Sequence, residues 1–363
     1  MLIAPDHLWL DGALREGMAV RIEGGVVTEV CLRRGGATPD LAPRLLMPGP
    51  TDLQVNGGGG VLLNSDPTPE GLAAIVAAHR SLGTAEIMAT VITDRLEVLH
   101  AAANAVLAAR GLAGLLGLHI EGPHIAPERR GTHHPDHVRP LDLRTVDVVE
   151  RLRRAQVPVM LTLAPERSDP GLMRRIAASG AILSAGHSAA TAEEARAGLE
   201  NGVSCFTHLY NAMPPMTSRA PGILGAAILS NAFAGIIADG VHVSWDMIRL
   251  ALAARPKGRT FVVSDAMATV GGPGSFELYG RRIHVRDGAL LNEDGNLAGA
   301  HVDMRQSLAN LHRHAGLSLG DAVAMTTDVP RAAMRLPARR VEPGVGAEWL
   351  LALDADLNGL ALT

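Results

Sequence analysis

The chain has 363 residues, enough for one barrel of typical size with roughly 100 residues beside it. Hydrophobic residues make up 47% and aromatics only 2%, so a large core must be built from Ala, Val, Leu, Ile and Met. Lys+Arg 33 against Asp+Glu 37 gives a net charge of -4, without the basic excess of a nucleic-acid binder.

Two cysteines, Cys31 and Cys205, are too few for a disulfide framework. Cys205 sits in an apolar run, where a free thiol behaves as a small hydrophobe. The opening MLIAPDHLWLDGALREG lacks a basic stretch followed by a long apolar one, so no signal peptide is expected. No run approaches the roughly 18 apolar residues of a membrane span. The expectation is a cytoplasmic protein with no membrane partner.

In chain order, residues 1–45 alternate as short strands and turns. Eight apolar, β-branched runs follow, over 46–56, 85–93, 115–121, 158–164, 181–187, 204–209, 235–242 and 260–265. Amphipathic Ala/Leu/Arg-rich stretches separate them. Residues 68–82 suggest a helix, and TAEEARAGLENG predicts another, with Thr191 as N-cap, Glu193 and Glu194 in the first turn and Gly202 as stop. Alternation of this kind signals βαβ units. Eight repeats favour a closed α/β TIM-type (β/α)₈ barrel over an open sheet, which should offer a G-x-G-x-x-G turn opening a helix. The nearest match, Gly57 to Gly60, leads into Val-Leu-Leu-Asn and reads as a flexible loop allowing close backbone approach. Residues 275–298 read as a hairpin-bearing insertion, and 336–363 again as strands. The termini are expected to meet in a small β-sandwich domain (1–45 and 336–363) beside the barrel (46–335). The basic stretch 151–154 reads as a solvated helix face.

Barrel chemistry sits at the C-terminal ends of the strands, and these runs end in residues able to bind metal. The third ends in His119-Ile120-Glu121, the fifth in His187, the sixth in His208, the seventh in Asp239 and His242, and the eighth in Asp265. A single strand-end histidine is more often structural, and Asp239 before glycine suits a plain turn. Recurrence at five of the last six strands points to a shared site. Glu121 with His187 and His208 gives one carboxylate and two imidazoles with a position left for water, the composition of a catalytic zinc-type site. Asp265 is then the general base.

The strand ends resemble the amidohydrolase superfamily and, within it, the family of N-acetylglucosamine-6-phosphate deacetylases. The resemblance rests on PGPTDLQVNG (48–57), HIEGPHIAPERRGTHHP (119–135), SAGHSAAT (184–191), THLYNAMPPMTSRAPGILGAAI (207–228), GIIADGVHV (235–243), SDAM (264–267) and LAGAHVDM (297–304). It implies hydrolysis of the acetamide of a small phosphorylated N-acetyl amino sugar. It implies Glu121, His187 and His208 as ligands of one divalent metal ion per subunit, zinc first, with Fe, Co or Mn also accommodated. Asp265 becomes the acid/base, and His133 polarises the acetyl carbonyl, with Thr132 beside it. For the phosphate the resemblance points to Asn211, Ala212, Arg219 and His242, with Arg219 supplied by a neighbouring subunit of a homodimer. Leu297, Ala298 and Gly299 would line the sugar site.

The superfamily's His-x-His at strand 1 reads Gln54-Val55-Asn56 here. Neutral amides are poor ligands, so one metal is expected rather than two, with Gln54 and Asn56 bonding around the water or the sugar. His119 and His124 are read as supporting or structural. The tail departs from the family at Ala347-Glu348-Trp349. The competing readings are N-acetylgalactosamine-6-phosphate deacetylation, a cyclic amidase and a non-catalytic scaffold. A cyclic amidase is disfavoured by the absence of strand-1 histidines and of a lysine in VPVMLTLAPE. The complete set Glu121, His187, His208 and Asp265 argues against a scaffold.

Overall fold

Apolar runs bounded by Gly and Pro become the strands of a parallel barrel. The computed structural model describes residues 1–362 apart from 34, 35, 37, 294 and 296. Those five and Thr363, all within the expected terminal and insertion segments, lie outside the described residues. The barrel strands are β1 (Thr51–Val55), β2 (Glu86–Ile92), β3 (Leu115–Glu121), β4 (Val159–Leu163), β5 (Ile182–Ala185), β6 (Val203–Phe206), β7 (Phe233–Ile236) and β8 (Thr260–Val262). They form one eight-stranded parallel sheet in chain order. Val55 bridges Ala266 in parallel, and the Asn56 and Gly57 N–H groups donate to the Ala266 carbonyl at 2.9 and 3.1 Å, closing β8 onto β1. Helices cover the outside, and residues such as Val55, Leu118, Ile120 and Leu161 are fully buried against them. Parallel strands hidden on both faces read as continuous apolar runs for this reason.

The predicted helices form. Thr68 caps Pro69–Ser81, its hydroxyl accepting from the Gly71 N–H at 3.0 Å. Ala192–Glu200 begins with a reciprocal capping box between Thr191 and Glu194.

Two local expectations are corrected. The run 46–56 is two strands. Leu45–Pro48 pairs with His7–Leu10 and Leu350–Leu353 in a terminal sheet, and β1 begins only after Gly49-Pro50. A Cβ at Gly49 would lie 2.8 Å from that of Ala85, so the crossing requires glycine. The supposed flexible loop at Gly57 is a packed turn in which Gly57–Gly58 pairs with Val61–Leu62. There a Cβ on Gly57 would meet the Val61 carbonyl oxygen at 2.3 Å.

The terminal segments build a three-stranded and a five-stranded sheet that share the buried residues Ile3, Leu8, Val20, Ile22, Leu46 and Ala352. Ala347–Trp349 is a short 3-10 turn leading into Leu350–Leu353. Further on, Ala355-Asp356-Leu357-Asn358-Gly359 leads into the last strand, which starts at Gly359. The insertion after β8 is an antiparallel meander of β9 (Ser275–Leu278), β10 (Arg281–Arg286), β11 (Ala289–Leu291) and β12 (Leu297–Ala300).

Candidate active site

The C-terminal strand ends converge. Glu121 closes β3, while His187 and His208 follow β5 and β6 with φ of 48° and 28°, and Asp265 follows β8 with φ of 52°. Left-handed backbone at non-glycine residues is uncommon and clusters where a functional geometry is imposed. Here it turns each side chain off its strand and into the barrel mouth.

His187 Nδ1 lies 2.8 Å from the Arg129 carbonyl, which can only accept. The neutral ring therefore carries its proton on Nδ1, and Nε2 presents a lone pair. That lone pair faces Glu121 Oε1 at 3.2 Å, and His208 Nε2 lies 3.0 Å from both atoms. Three metal-competent atoms gathered within 3.2 Å fit the donor set of a bound cation. Ligands about 2.0–2.1 Å from one tetrahedral ion stand about 3.3 Å apart, close to the spacing found here. Glu121, His133 and His187 also present donor atoms within 4.8 Å of one another, so His133 borders the same centre.

Electrostatics agree with an ionised carboxylate at this point. Burial alone would push Glu121 upward, but the His187 and His208 rings set against it hold it well below the usual carboxylate range. Burial and the neighbouring Glu121 charge push Asp265 up to about 6, against the opposing pull of His208 and Asn56. Burial, aided by His187, lowers His133 to about 3, so its ring is neutral. Its Nδ1 meets Thr93 Oγ1 at 2.7 Å.

Gln54 and Asn56 are placed differently from expectation. Gln54 Nε2 bonds Glu121 Oε1 at 2.9 Å and Asp265 Oδ1 at 3.2 Å, and Asn56 Nδ2 bonds Asp265 Oδ1 at 2.7 Å. Gln54 thus ties the two carboxylates together, Asn56 holds Asp265 alone, and of the two amides only Asn56 reaches the cleft wall. Thr132, His133, Asn211, Ala212, His242, Leu297 and Gly299 line the cleft. Ala298 instead buries its side chain among Leu62, Ile92 and Met267. Arg219 is exposed and does not line the cleft of its own chain. His124 is structural, bonded to the Arg139 and Pro140 carbonyls and to Thr145 Oγ1 at 2.9 Å.

Sequence reasoning named Asp239 without finding its partner and missed Thr93. Asp239 Oδ2 holds His242 Nδ1 at 2.6 Å, while its Oδ1 accepts the Val241 and His242 N–H groups. The Asp-x-x-His spacing in ADGVH was the available signal. Thr93, which bonds His133 and accepts the Tyr279 hydroxyl on its carbonyl, gave none.

The amidohydrolase family model matches residues 45–354. The chain is 37% identical to N-acetylgalactosamine-6-phosphate deacetylase of a Shewanella species, spanning 100% of this chain and 94% of that one. It is 31% identical to N-acetylglucosamine-6-phosphate deacetylase of Haemophilus influenzae, over 88% and 86%. Among solved structures, the Mycobacterium smegmatis N-acetyl-D-glucosamine-6-phosphate deacetylase superposes with a TM-score of 0.90 at 28% identity, covering 100% of this chain and 98% of that one. The Pasteurella multocida enzyme gives 0.89 at 29%, over 99% and 96%. This chain belongs to the amidohydrolase family and, within it, to the amino-sugar 6-phosphate deacetylases.

Proposed function

We propose that the chain hydrolyses the acetamide of N-acetylglucosamine 6-phosphate, releasing acetate and glucosamine 6-phosphate. The observation that carries the reading is the convergence of Glu121, His187 and His208 within 3.2 Å, with Asp265 bonded into the same cluster. These three side chains are assigned as ligands of one divalent ion, zinc first, with Fe, Co or Mn also suited to the set. When bound, such an ion supplies Lewis acidity and a water acidified to a pKa of about 7. His133 is kept off the ligand set because a Thr93 hydroxyl donating to its Nδ1 leaves the ring proton on Nε2.

Asp265 takes the proton of the attacking water and returns it to the leaving nitrogen. A hydroxyl proton donated by Thr93 to Nδ1 leaves Nε2–H of His133 to face the acetyl oxygen and hold the charge developing there. Gln54 and Asn56 keep the Asp265 carboxylate aimed. His242, fixed by Asp239, lines the cleft with Asn211 and Ala212 and is assigned to the phosphate. Arg219, outside its own cleft, is assigned to the phosphate of a partner subunit in a homodimer. Free Cys31 and Cys205 suit a cytoplasmic setting, and no helix among the described residues is long and apolar enough to cross a membrane. The division into a terminal β-domain and a catalytic barrel belongs to the same reading: every side chain given a role follows Gly49.

A second reading differs at one hydroxyl. The 37% identical Shewanella relative acts on the galacto epimer, so both sugars belong in the test. Acetate release is measured from N-acetylglucosamine 6-phosphate, N-acetylgalactosamine 6-phosphate and both unphosphorylated sugars. Hydrolysis of a 6-phosphate with the metal-loaded protein supports the reading. Indifference to the phosphate would remove the roles given to His242 and Arg219.

A further inference from the structure

One layer below the proposed ligands, a chain of hydrogen bonds crosses the barrel interior. His119 Nδ1 meets the Leu53 carbonyl at 2.9 Å, and its Nε2 meets Thr162 Oγ1 at 2.7 Å. Thr162 Oγ1 meets Thr207 Oγ1 at 2.6 Å, which meets Ser184 Oγ at 2.6 Å. All four side chains are buried, none more than 3% exposed.

The carbonyl at one end sets the direction of every bond. It can only accept, so neutral His119 carries its proton on Nδ1 and offers a lone pair at Nε2. Thr162 must then donate to Nε2, which leaves its oxygen to accept from Thr207. Thr207 in turn accepts from Ser184. Each hydroxyl has one proton and uses it toward β1, so the arrangement has a single solution.

The strands joined are those that carry the proposed site. Leu53 precedes Gln54 on β1, where the β1–β2 ladder shifts register between Ile87 and Ala89. His119 lies two residues before Glu121 on the same face of β3, and Thr162 stands opposite Glu121 in register. Ser184 is three residues before His187, and Thr207 is adjacent to His208. β1 and β3 are not neighbours in the sheet. The His119–Leu53 bond therefore links them across the interior, just below the Gln54–Glu121 bond.

We infer that His119 is a positioning residue for the reaction, holding β1 and β3 so that Gln54, Glu121 and the histidine ligands meet at one point. Thr162, Thr207 and Ser184 lock its tautomer. The inference rests on the deacetylase reading above and adds a function for a histidine that touches no substrate.

Two measurements test it. Long-range ¹H–¹⁵N spectra of the metal-free wild-type protein should show His119 protonated at Nδ1 and bare at Nε2. Thr162→Val, nearly isosteric, removes the only proton aimed at Nε2. It should weaken zinc affinity about tenfold, the scale seen when supporting bonds around metal ligands are cut. It should also lower kcat about tenfold with KM within twofold, and Thr162→Ser should restore both. Protonation of His119 at Nε2 in the wild type, or a Thr162→Val protein matching it in zinc affinity and kcat, would overturn the inference. A protein without deacetylase activity whose zinc affinity still falls in Thr162→Val would overturn the functional reading and leave His119 a positioning residue for the metal ligands alone.

Discussion

Asn56 Nδ2 donates to Asp265 Oδ1 at 2.7 Å, across the seam where the barrel closes. The bond stabilises the ionised carboxylate and opposes the burial and Glu121 charge that push Asp265 up to about 6. A base must be ionised to act, so kcat/KM should fall as the pH drops through about 6. Asn56→Ala removes a stabiliser of the charged form and should move that acid limb to higher pH. A pH–rate profile unchanged in Asn56→Ala would show that the amide does not tune the base.

Asp265→Asn removes the acid/base while keeping the shape of the side chain. The Glu121, His187 and His208 cluster is untouched, so bound metal should stay near one equivalent per chain by elemental analysis. Acetate release should drop by about 10²–10⁴-fold, the usual range for a lost general acid–base.

His133→Ala should lower kcat by about 10²–10³-fold, as expected for one donor to a developing oxyanion. Metal content should be preserved, because the proton held on Nε2 by the Thr93 hydroxyl at Nδ1 keeps the ring out of the ligand set. Loss of the ion together with activity would instead make His133 a ligand.

Asp52 supplies a stability test away from the cleft. It is fully buried, with Oδ1 accepting from the Gln54 and Ser264 N–H groups and Oδ2 lacking a partner among the described residues. Burial raises it to about 7. Between its unfolded pKa of about 3.9 and about 7 the folded chain binds more protons than the unfolded one, so stability declines as pH rises through that window. Asp52→Asn mimics the protonated carboxyl and should flatten this decline, raising Tm by more above pH 7 than at pH 5. Thermal scans at the two pH values decide it.

Much of the barrel is written locally, because strands covered on both faces must be apolar and polar residues that end them stand out. Glu121, His187, His208 and Asp265 were legible for that reason, and they do meet. The break between Leu45–Pro48 and β1 was hidden because both strands are apolar and only Gly49-Pro50 marks the change of sheet. The partners of Gln54 lie 67 and 211 residues away, and nothing in a linear pattern shows which carboxylates a buried amide will bridge. Thr93 behind His133 is likewise a product of three-dimensional closure.

The left-handed torsions at His187, His208 and Asp265 restrict how this barrel can be re-engineered. Such a conformation penalises ordinary L-residues by about 1–2 kcal/mol and is best tolerated by Gly, Asn, Asp and His. Alanine or valine scanning at these positions would mix lost chemistry with a backbone penalty. Asparagine is the cleaner probe, and a retargeted enzyme built on this scaffold inherits the same short alphabet at its rim.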